Sequence, residues 1–468
     1  MALPVLLDDA LRSTESGFSL ALSLPWIRSL PVASLVDVSV AIDGEPAPVR
    51  PARDSGWWFL QDRLEVLGEG MLRPGVHDVS VSFRLVVPYL QAGPDAPLTL
   101  PFRADAALTL DASPSRAIPP DSDSTAATVR TRENDPIPVM SGDGWDLGAS
   151  AFNWTPDIIR AERAADDIVV GIVADGVSSI EIEPGQLWRS FPTLADDEVD
   201  AFRSRLAAAG GAVTVVGGSL DDWELPARRR TTEERVAFLQ PQLRAAARVG
   251  ARGVRVPFGQ AGPELLRRLQ PLLDDLDVVL YEEIQGQQTL DVPAVAENLA
   301  LLEELDDPHV RVLIDISMLM PSLPPSYLDE LRRGGVDAAL LERLEHDWRS
   351  PETHAAVIAA LRGGTVPPAV HTLFMNLLIR FGRSSVDDLE PLLAVTGGVH
   401  LKFWDLDDTG GRVSQPIADI GAALRRTGFS GSLTSEWGGH EWLENDPTAM
   451  TLAHLNLART ALAQRVTV

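Results

Sequence analysis

Residues 399–408 read VHLKFWDLDD, an apolar and aromatic run with ionisable groups set into it. This is the composition of a buried strand that carries chemistry. Strand residues two apart share a face, so His400 and Lys402 point the same way, with Trp404 next in that row. An imidazole and an ammonium side by side need an anion nearby. Lys402 is also the only lysine among the 40 Lys and Arg residues of the chain. Lysine is a compact point donor where arginine is a planar fork, so the position needs the smaller cation.

Outward from that run, everything after about residue 148 alternates short apolar segments with longer amphipathic ones, the pattern of βα units around a parallel sheet. Strands are expected at 149–154, 179–183, 212–216, 253–256, 278–283, 310–315, 399–404 and 432–436, with helices such as 196–209 and 232–249 between them. Eight such units fit a TIM barrel, in which function gathers at the C-terminal ends of the strands. A doubly wound open sheet is the alternative. It would normally carry a Gly-rich phosphate loop after its first strand, and none follows Phe152.

Residues 17 to about 110 have a different texture, with short β-rich segments at 17–24, 35–42, 57–59, 63–66 and 76–87 punctuated by Gly, Pro and Asp. Val79, Val81 and Phe83 alternate with Ser80, Ser82 and Arg84, the period of a sheet with one solvated face. These strands predict a β-sandwich. Residues 111–147 are rich in Pro, Ser and Asp and nearly free of periodic apolar residues, which is linker composition. The expected organisation is an all-β sandwich over 1–115, a linker over 116–147 and a TIM-barrel catalytic domain over 148–468.

The formal net charge is −27, from 67 acidic against 40 basic residues, which argues against nucleic acid or an anionic membrane as partner. Cysteine is absent, which removes disulfides, thiolate metal sites and thiol nucleophiles. The opening MALPVLLDDALRST has no basic n-region, and Asp8 and Asp9 break its apolar run, so it does not read as a signal peptide. A cytoplasmic protein is the expectation, as a homo-oligomer.

Polar residues gather at the strand ends. The fifth strand ends in YEEIQGQ with Glu282 and Glu283, the sixth in LIDIS with Asp315, the seventh holds His400, and the eighth ends in TSEWGGHEW with Glu436. Carboxylates and an imidazole converging on one barrel mouth repel in a low dielectric unless a cation holds them together. Oxygen-rich ligation with one nitrogen suits Mn²⁺ or Mg²⁺ better than structural zinc. No Gly-rich strand-to-helix turn with a downstream acidic residue is present, so no nicotinamide or flavin is expected.

The set Glu283, Asp315, His400 and Glu436 resembles the metal site of the xylose-isomerase-like TIM-barrel family of sugar isomerases and epimerases. Within that family, EIQGQ, HLKFWD and SEWGGH are most similar to the large subunit of the C-glycoside deglycosidases. Independently, GFSLALSLPWIRSLPVASLVDVSVAIDGEP and LRPGVHDVSVSFRLVVPYL resemble the small β-sandwich subunit of the same enzymes. The two resemblances together imply a natural fusion, covering nearly the whole chain except 111–147 and an irregular stretch at 334–370.

The resemblance implies a lyase whose substrate is a small-molecule C-glycoside already oxidised to the 3-ketone, with the aglycone lost by β-elimination. A divalent ion, Mn²⁺ in preference to Mg²⁺, chelated by the 3-oxo group and the adjacent hydroxyl would acidify the C2 proton and stabilise the enediolate. Lys402 is implied either as a donor to the sugar oxygens or as the ion-pair partner of a metal-ligating carboxylate. A sugar isomerase or epimerase of the same family is the alternative. One departure stands out: two residues after the first Glu ligand, where the deglycosidases usually carry a histidine that looks like the general base, this chain has Gln285. Either Glu282, Tyr281 or His440 supplies the acid-base chemistry, with His440 preferred, or the substrate is one that needs less help. The register of EEIQ is likewise open between Glu282 and Glu283 as ligand. The Glu-Ile order selects Glu283.

Overall fold

The computed structural model describes residues 4–93, 95–113, 144–224 and 228–464. Six long strands make up the N-terminal part: β1 (Leu6–Thr14), β2 (Gly17–Ser23), β3 (Leu35–Ile42), β4 (Arg63–Glu69), β5 (Val76–Gln91) and β6 (Pro97–Thr109). They form two antiparallel sheets, β1-β2-β4 extended by Val49–Pro51 and β6-β5-β3 extended by Glu45–Ala47. Phe18, Leu20 and Val66 from the first sheet and Val40, Val81 and Phe83 from the second share one buried core. The alternation in β5 holds, with Val79, Val81 and Phe83 inside and Asp78 and Arg84 exposed. Strand β1 was not anticipated because two aspartates interrupt it. Asp9 is nevertheless buried, with both carboxylate oxygens on Arg63 at 2.7 and 3.1 Å, and that pairing is what an apolar pattern cannot register.

Eight parallel strands close a barrel: β7 (Asp146–Ser150), β8 (Ser179–Ile182), β9 (Ala212–Gly217), β10 (Gly253–Pro257), β11 (Val279–Ile284), β12 (Val310–Asp315), β13 (Thr396–Phe403) and β14 (Ser432–Trp437), the last pairing back onto β7. The largest shift from expectation is in β7. It begins at Asp146, inside the expected linker, and stops at Ser150, whose hydroxyl accepts from the Phe152 amide and caps a 3₁₀ turn, Ala151–Trp154. The rest of the expected linker lies almost wholly outside the described residues. The stretch expected to be irregular, 334–370, is largely helical: Ala338–His346 and Pro351–Arg362 follow helix Pro325–Arg333. Asp337 and Ser350 cap the two later helices, and Leu331, Leu344, Trp348, Phe374 and Phe381 give this excursion a core of its own against Trp404. Among the described residues no helix is long and apolar enough to cross a membrane.

The sandwich sits on the loops that follow β8 and β9, at the C-terminal face of the barrel. Arg28 is buried there against Asp221 at 2.6 Å, Ser29 donates its amide to the Gly185 carbonyl, and Gln186 donates to the Ile27 carbonyl. Gln61 spans the junction, donating to the Ile158 and Arg163 carbonyls and accepting from the Ala165 amide. Trp57 meets Phe191 edge-on at 4.9 Å. Removing one partner of a buried ion pair leaves an uncompensated charge, so Arg28→Ala should lower the stability of the full chain by about 3 kcal/mol. The double variant Arg28→Ala/Asp221→Ala should recover most of that loss. Denaturant unfolding of the single and double variants measures the difference, and additive losses would show that the pair is not coupled.

Candidate metal centre

Strand periodicity carries the chemistry into the barrel. The register pairs Asp315 with His400 and Lys402 with Glu436, so β12, β13 and β14 bring four ionisable groups to one level. On β11 the alternation sends Glu283 inward. One imidazole nitrogen or carboxylate oxygen from each of Glu283, Asp315, His400 and Glu436 lies within 4.8 Å of the others, and all four residues are buried. His400 Nδ1 is 3.0 Å from Glu283 Oε1 and 3.0 Å from Glu436 Oε2. Lys402 Nζ is 3.1 Å from Glu436 Oε2.

Asp315 Oδ1 accepts from the Ser317 amide at 2.7 Å, but its Oδ2 is buried with no hydrogen bond, whereas Glu436 Oε2 is already met by Lys402 and His400. Orphaned buried carboxylate oxygens are costly unless something cationic reaches them. Three carboxylates and one imidazole, with one oxygen of Asp315 unpaired, form a donor set that fits a divalent ion of the Mn²⁺ or Mg²⁺ type. Electrostatics agree. Burial pushes the Asp315 carboxyl up to about 6, helped by Glu436 and Glu283 and opposed by Lys402. Burial also works against the charged His400, yet Glu181, Glu436 and Glu283 together hold it well above its ordinary value.

Three residues at this centre escaped sequence reasoning. Glu181 on β8 meets His400 Nε2 at 2.9 Å, so both ring nitrogens face carboxylates. Arg255 on β10 reaches Glu283 Oε2 at 2.9 Å, Glu181 Oε1 at 2.5 Å and the Glu183 carboxylate through its third nitrogen. The signals were present. IEIEP places two carboxylates at same-face spacing on a strand end, and VRVP sets one arginine in an otherwise apolar strand. Glu183 itself is raised to about 8 by burial and by Glu181, Glu436 and Glu283, against the opposing pull of Arg255.

The expected acid-base residues fare differently. Glu282 points the other way from Glu283, into the helical layer, where Asn298 donates to its Oε2. Burial lifts it to about 7 despite that bond. It is therefore removed from the cluster, because adjacent strand residues face opposite sides. Tyr281 packs with Val215 and Leu313, away from the cluster. His440 stands on the turn Gly439–Glu441, with its ring against Phe152 at 4.9 Å and Trp437 at 5.6 Å. Burial, with Lys402 and Arg380, drives its pKa down to about 3, so it is neutral at physiological pH and too weak a base to hold a proton. Gln285 follows β11 by one residue and is half-buried, with its backbone N–H donating to the Gln288 side-chain oxygen. Lys402 is engaged with Glu436, and Trp404 packs against the helical excursion.

A family model described as a xylose isomerase-like TIM barrel matches residues 172–330. The chain is 27% identical to the C-glycoside deglycosidase alpha subunit of Arthrobacter globiformis, over 70% of this chain and 95% of that protein. It is 26% identical to the 3'-dehydrocarminate deglycosidase alpha subunit of a Microbacterium species, over 67% of this chain and 94% of that one. The N-terminal region is in turn 32% identical to the 3'-dehydrocarminate deglycosidase beta subunit of a Microbacterium species, covering 18% of this chain and 78% of that subunit. The chain belongs to the C-glycoside deglycosidase family. It is an enzyme, and it unites in one polypeptide the two parts that this deglycosidase family elsewhere divides between alpha and beta subunits.

Proposed function

We propose that the protein is a metal-dependent carbon–carbon lyase that cleaves 3-oxo-C-glycosides by β-elimination, releasing the aglycone and an unsaturated 1,5-anhydro-3-keto sugar. The observation that carries this reading is the double likeness: the barrel matches subunits named for one activity, and the sandwich matches a partner subunit named for the same activity. A sugar isomerase would share the barrel but gives no reason for the attached sandwich.

Glu283, Asp315, His400 and Glu436 would hold a divalent ion, Mn²⁺ in preference to Mg²⁺, which would supply Lewis-acid polarisation of the 3-oxo group and bring the C2 proton within reach of a side-chain base. The chain's own residues do the rest. Glu181 accepts a hydrogen bond from Nε2–H of His400 and so fixes the tautomer that leaves Nδ1 facing the cluster. Arg255 offsets the charges of Glu181 and Glu283 and keeps both oriented. Lys402 holds Glu436 ionised and in place. The C2 proton passes to a carboxylate edge of the cluster, since Gln285 cannot accept one.

An ordinary sugar C2 proton is too weak an acid for such a base, whereas the proton next to a polarised ketone is not. Incubation with a 3-oxo-C-glycoside should therefore release free aglycone without added NAD, while the unoxidised glycoside survives. Chromatography of both sugar and aglycone decides it. Cleavage of the unoxidised glycoside, or a sugar carrying a water-derived anomeric hydroxyl, would overturn the reading.

A further inference from the structure

Three carboxylates surround Arg255, and two have evident tasks. Glu283 belongs to the four-residue cluster, and Glu181 holds His400. Glu183 has neither role. Among the described residues its carboxylate bonds only to Arg255, and it stands at the C-terminal end of β8, the reactive end of the barrel. Its side chain is 21% exposed, where those of Glu181 and Glu283 are 0% and 5% exposed. It is the most exposed member of the trio.

The neighbouring strand makes room for it. A Cβ added at Gly217, the last residue of β9, would meet Glu183 Oε1 at 2.1 Å and Oε2 at 2.5 Å, so the carboxyl lies directly over this glycine and a side chain there would push it aside. One guanidinium therefore separates Glu183 from Glu283 on the metal side of the centre.

Charge balance fixes the protonation state. A divalent ion held by the cluster, together with Arg255 and Lys402, would be neutralised by Glu181, Glu283, Asp315 and Glu436 with His400 as a neutral ligand. A fifth ionised carboxylate would leave the buried centre with an excess negative charge, which a low dielectric penalises. Glu183 keeps its proton, in accord with the crowding of carboxylates around it.

β-Elimination moves two protons, one off C2 and one onto the departing carbon. Ionised cluster carboxylates perform only the first. His440 is a neutral imidazole and no acid, Lys402 is committed to Glu436, and Gln285 has no acidic proton. We propose that Glu183 is the proton donor to the departing aglycone, an assignment that rests on the lyase reading above. The C2–H bond breaks with its proton going to a cluster carboxylate, and its electron pair forms the C1–C2 double bond. The C1–aglycone pair leaves with the aromatic carbon, which takes the proton from Glu183. Solvent then returns that proton to Glu183 and removes the other from the cluster.

The test separates the two protons. Glu183→Gln should bind its ion at the wild-type stoichiometry by elemental analysis and should still exchange the C2 hydrogen of a 3-oxo-C-glycoside for deuterium in D₂O. It should release carbon-linked aglycone about 100-fold or more slowly. With a 3-oxo-O-glycoside of nitrophenol, whose phenolate leaves without a proton, the same variant should stay within a few-fold of wild type. Gly217→Ala, which displaces the carboxyl without removing it, should lose carbon-linked release while sparing the nitrophenyl substrate. Equal losses on both leaving groups, loss of exchange together with release, or loss of the ion would each overturn the assignment and make Glu183 a structural partner of Arg255. Wild-type enzyme that neither exchanges nor releases would defeat the lyase reading itself, a different failure.

Discussion

His400→Ala should purify without a bound divalent ion, and its release of aglycone should fall by about 10³-fold or more. The imidazole is the single nitrogen donor of the cluster, and it does more than ligate. Both ring nitrogens face carboxylates, with Glu181 on one side and Glu283 and Glu436 on the other, at 2.9 to 3.0 Å. Without it these carboxylates face one another with only Arg255 and Lys402, at the edges of the cluster, to offset them. Their proton affinities then rise, and protonated carboxylates bind metal poorly. Elemental analysis of the purified variant gives the ion content directly, with wild type expected to carry about one ion per chain. Gln285→Ala serves as the contrast, since Gln285 lies beyond the strand end and should leave the ion in place. A His400→Ala protein with a full complement of ion and undiminished activity would remove His400 from the ligand set, and metal-free protein with full activity would remove the metal centre from the mechanism.

Replacing Arg255 by methionine should destabilise the barrel by about 3–5 kcal/mol, the usual result of removing one partner from a buried charge network. Arg255 is the shared cation of Glu181, Glu183 and Glu283, and methionine fills its volume without its charge. The loss should depend on pH in a definite direction. Burial alone would raise Glu283, but Arg255 and His400 bring it below its ordinary value in the folded protein. A depressed folded pKa contributes stability that is present above the unfolded value and lost as pH falls through the folded one. The gap between wild type and Arg255→Met should therefore narrow in acid. Urea midpoints across the acidic range measure it, and a gap that stays constant or widens there would show that the charges around Arg255 are not what stabilises this level of the barrel.

Most of the barrel was legible because each strand advertises itself as a short apolar run ending in a polar residue. The strand Val310–Asp315 and the helix Thr232–Val249 have the bounds their patterns predict, and a capping box at Thr231 and Glu234 starts that helix. Patterns failed where a charge is neutralised by a residue far away in the chain. Asp9 in β1 is satisfied by Arg63, and Arg255 by carboxylates on two other strands, so neither looks like an interior residue until the fold brings its partner. The same limit applies to the site. Glu283, Asp315, His400 and Glu436 could be singled out because each closes or interrupts its own strand, whereas Glu181 draws its meaning from a contact 219 residues away. His440 shows the same limit from the other side. Proximity along the chain to Glu436 suggested a base, but the aromatic walls of Phe152 and Trp437 determine its proton affinity, and they are contributed by the fold.

The solitary lysine has a further consequence. A protease that cuts only after lysine finds a single susceptible bond in this polypeptide, between Lys402 and Phe403, in the seventh strand of the closed barrel. Strand residues hydrogen-bonded on both sides cannot enter a protease cleft without the barrel coming apart. Cleavage into two fragments thus reports barrel opening and nothing more superficial, and when reclosing is fast the cutting rate follows the free energy of that opening. The chain carries a built-in gauge of its own breathing, read from one band on a gel and set at the residue that holds Glu436.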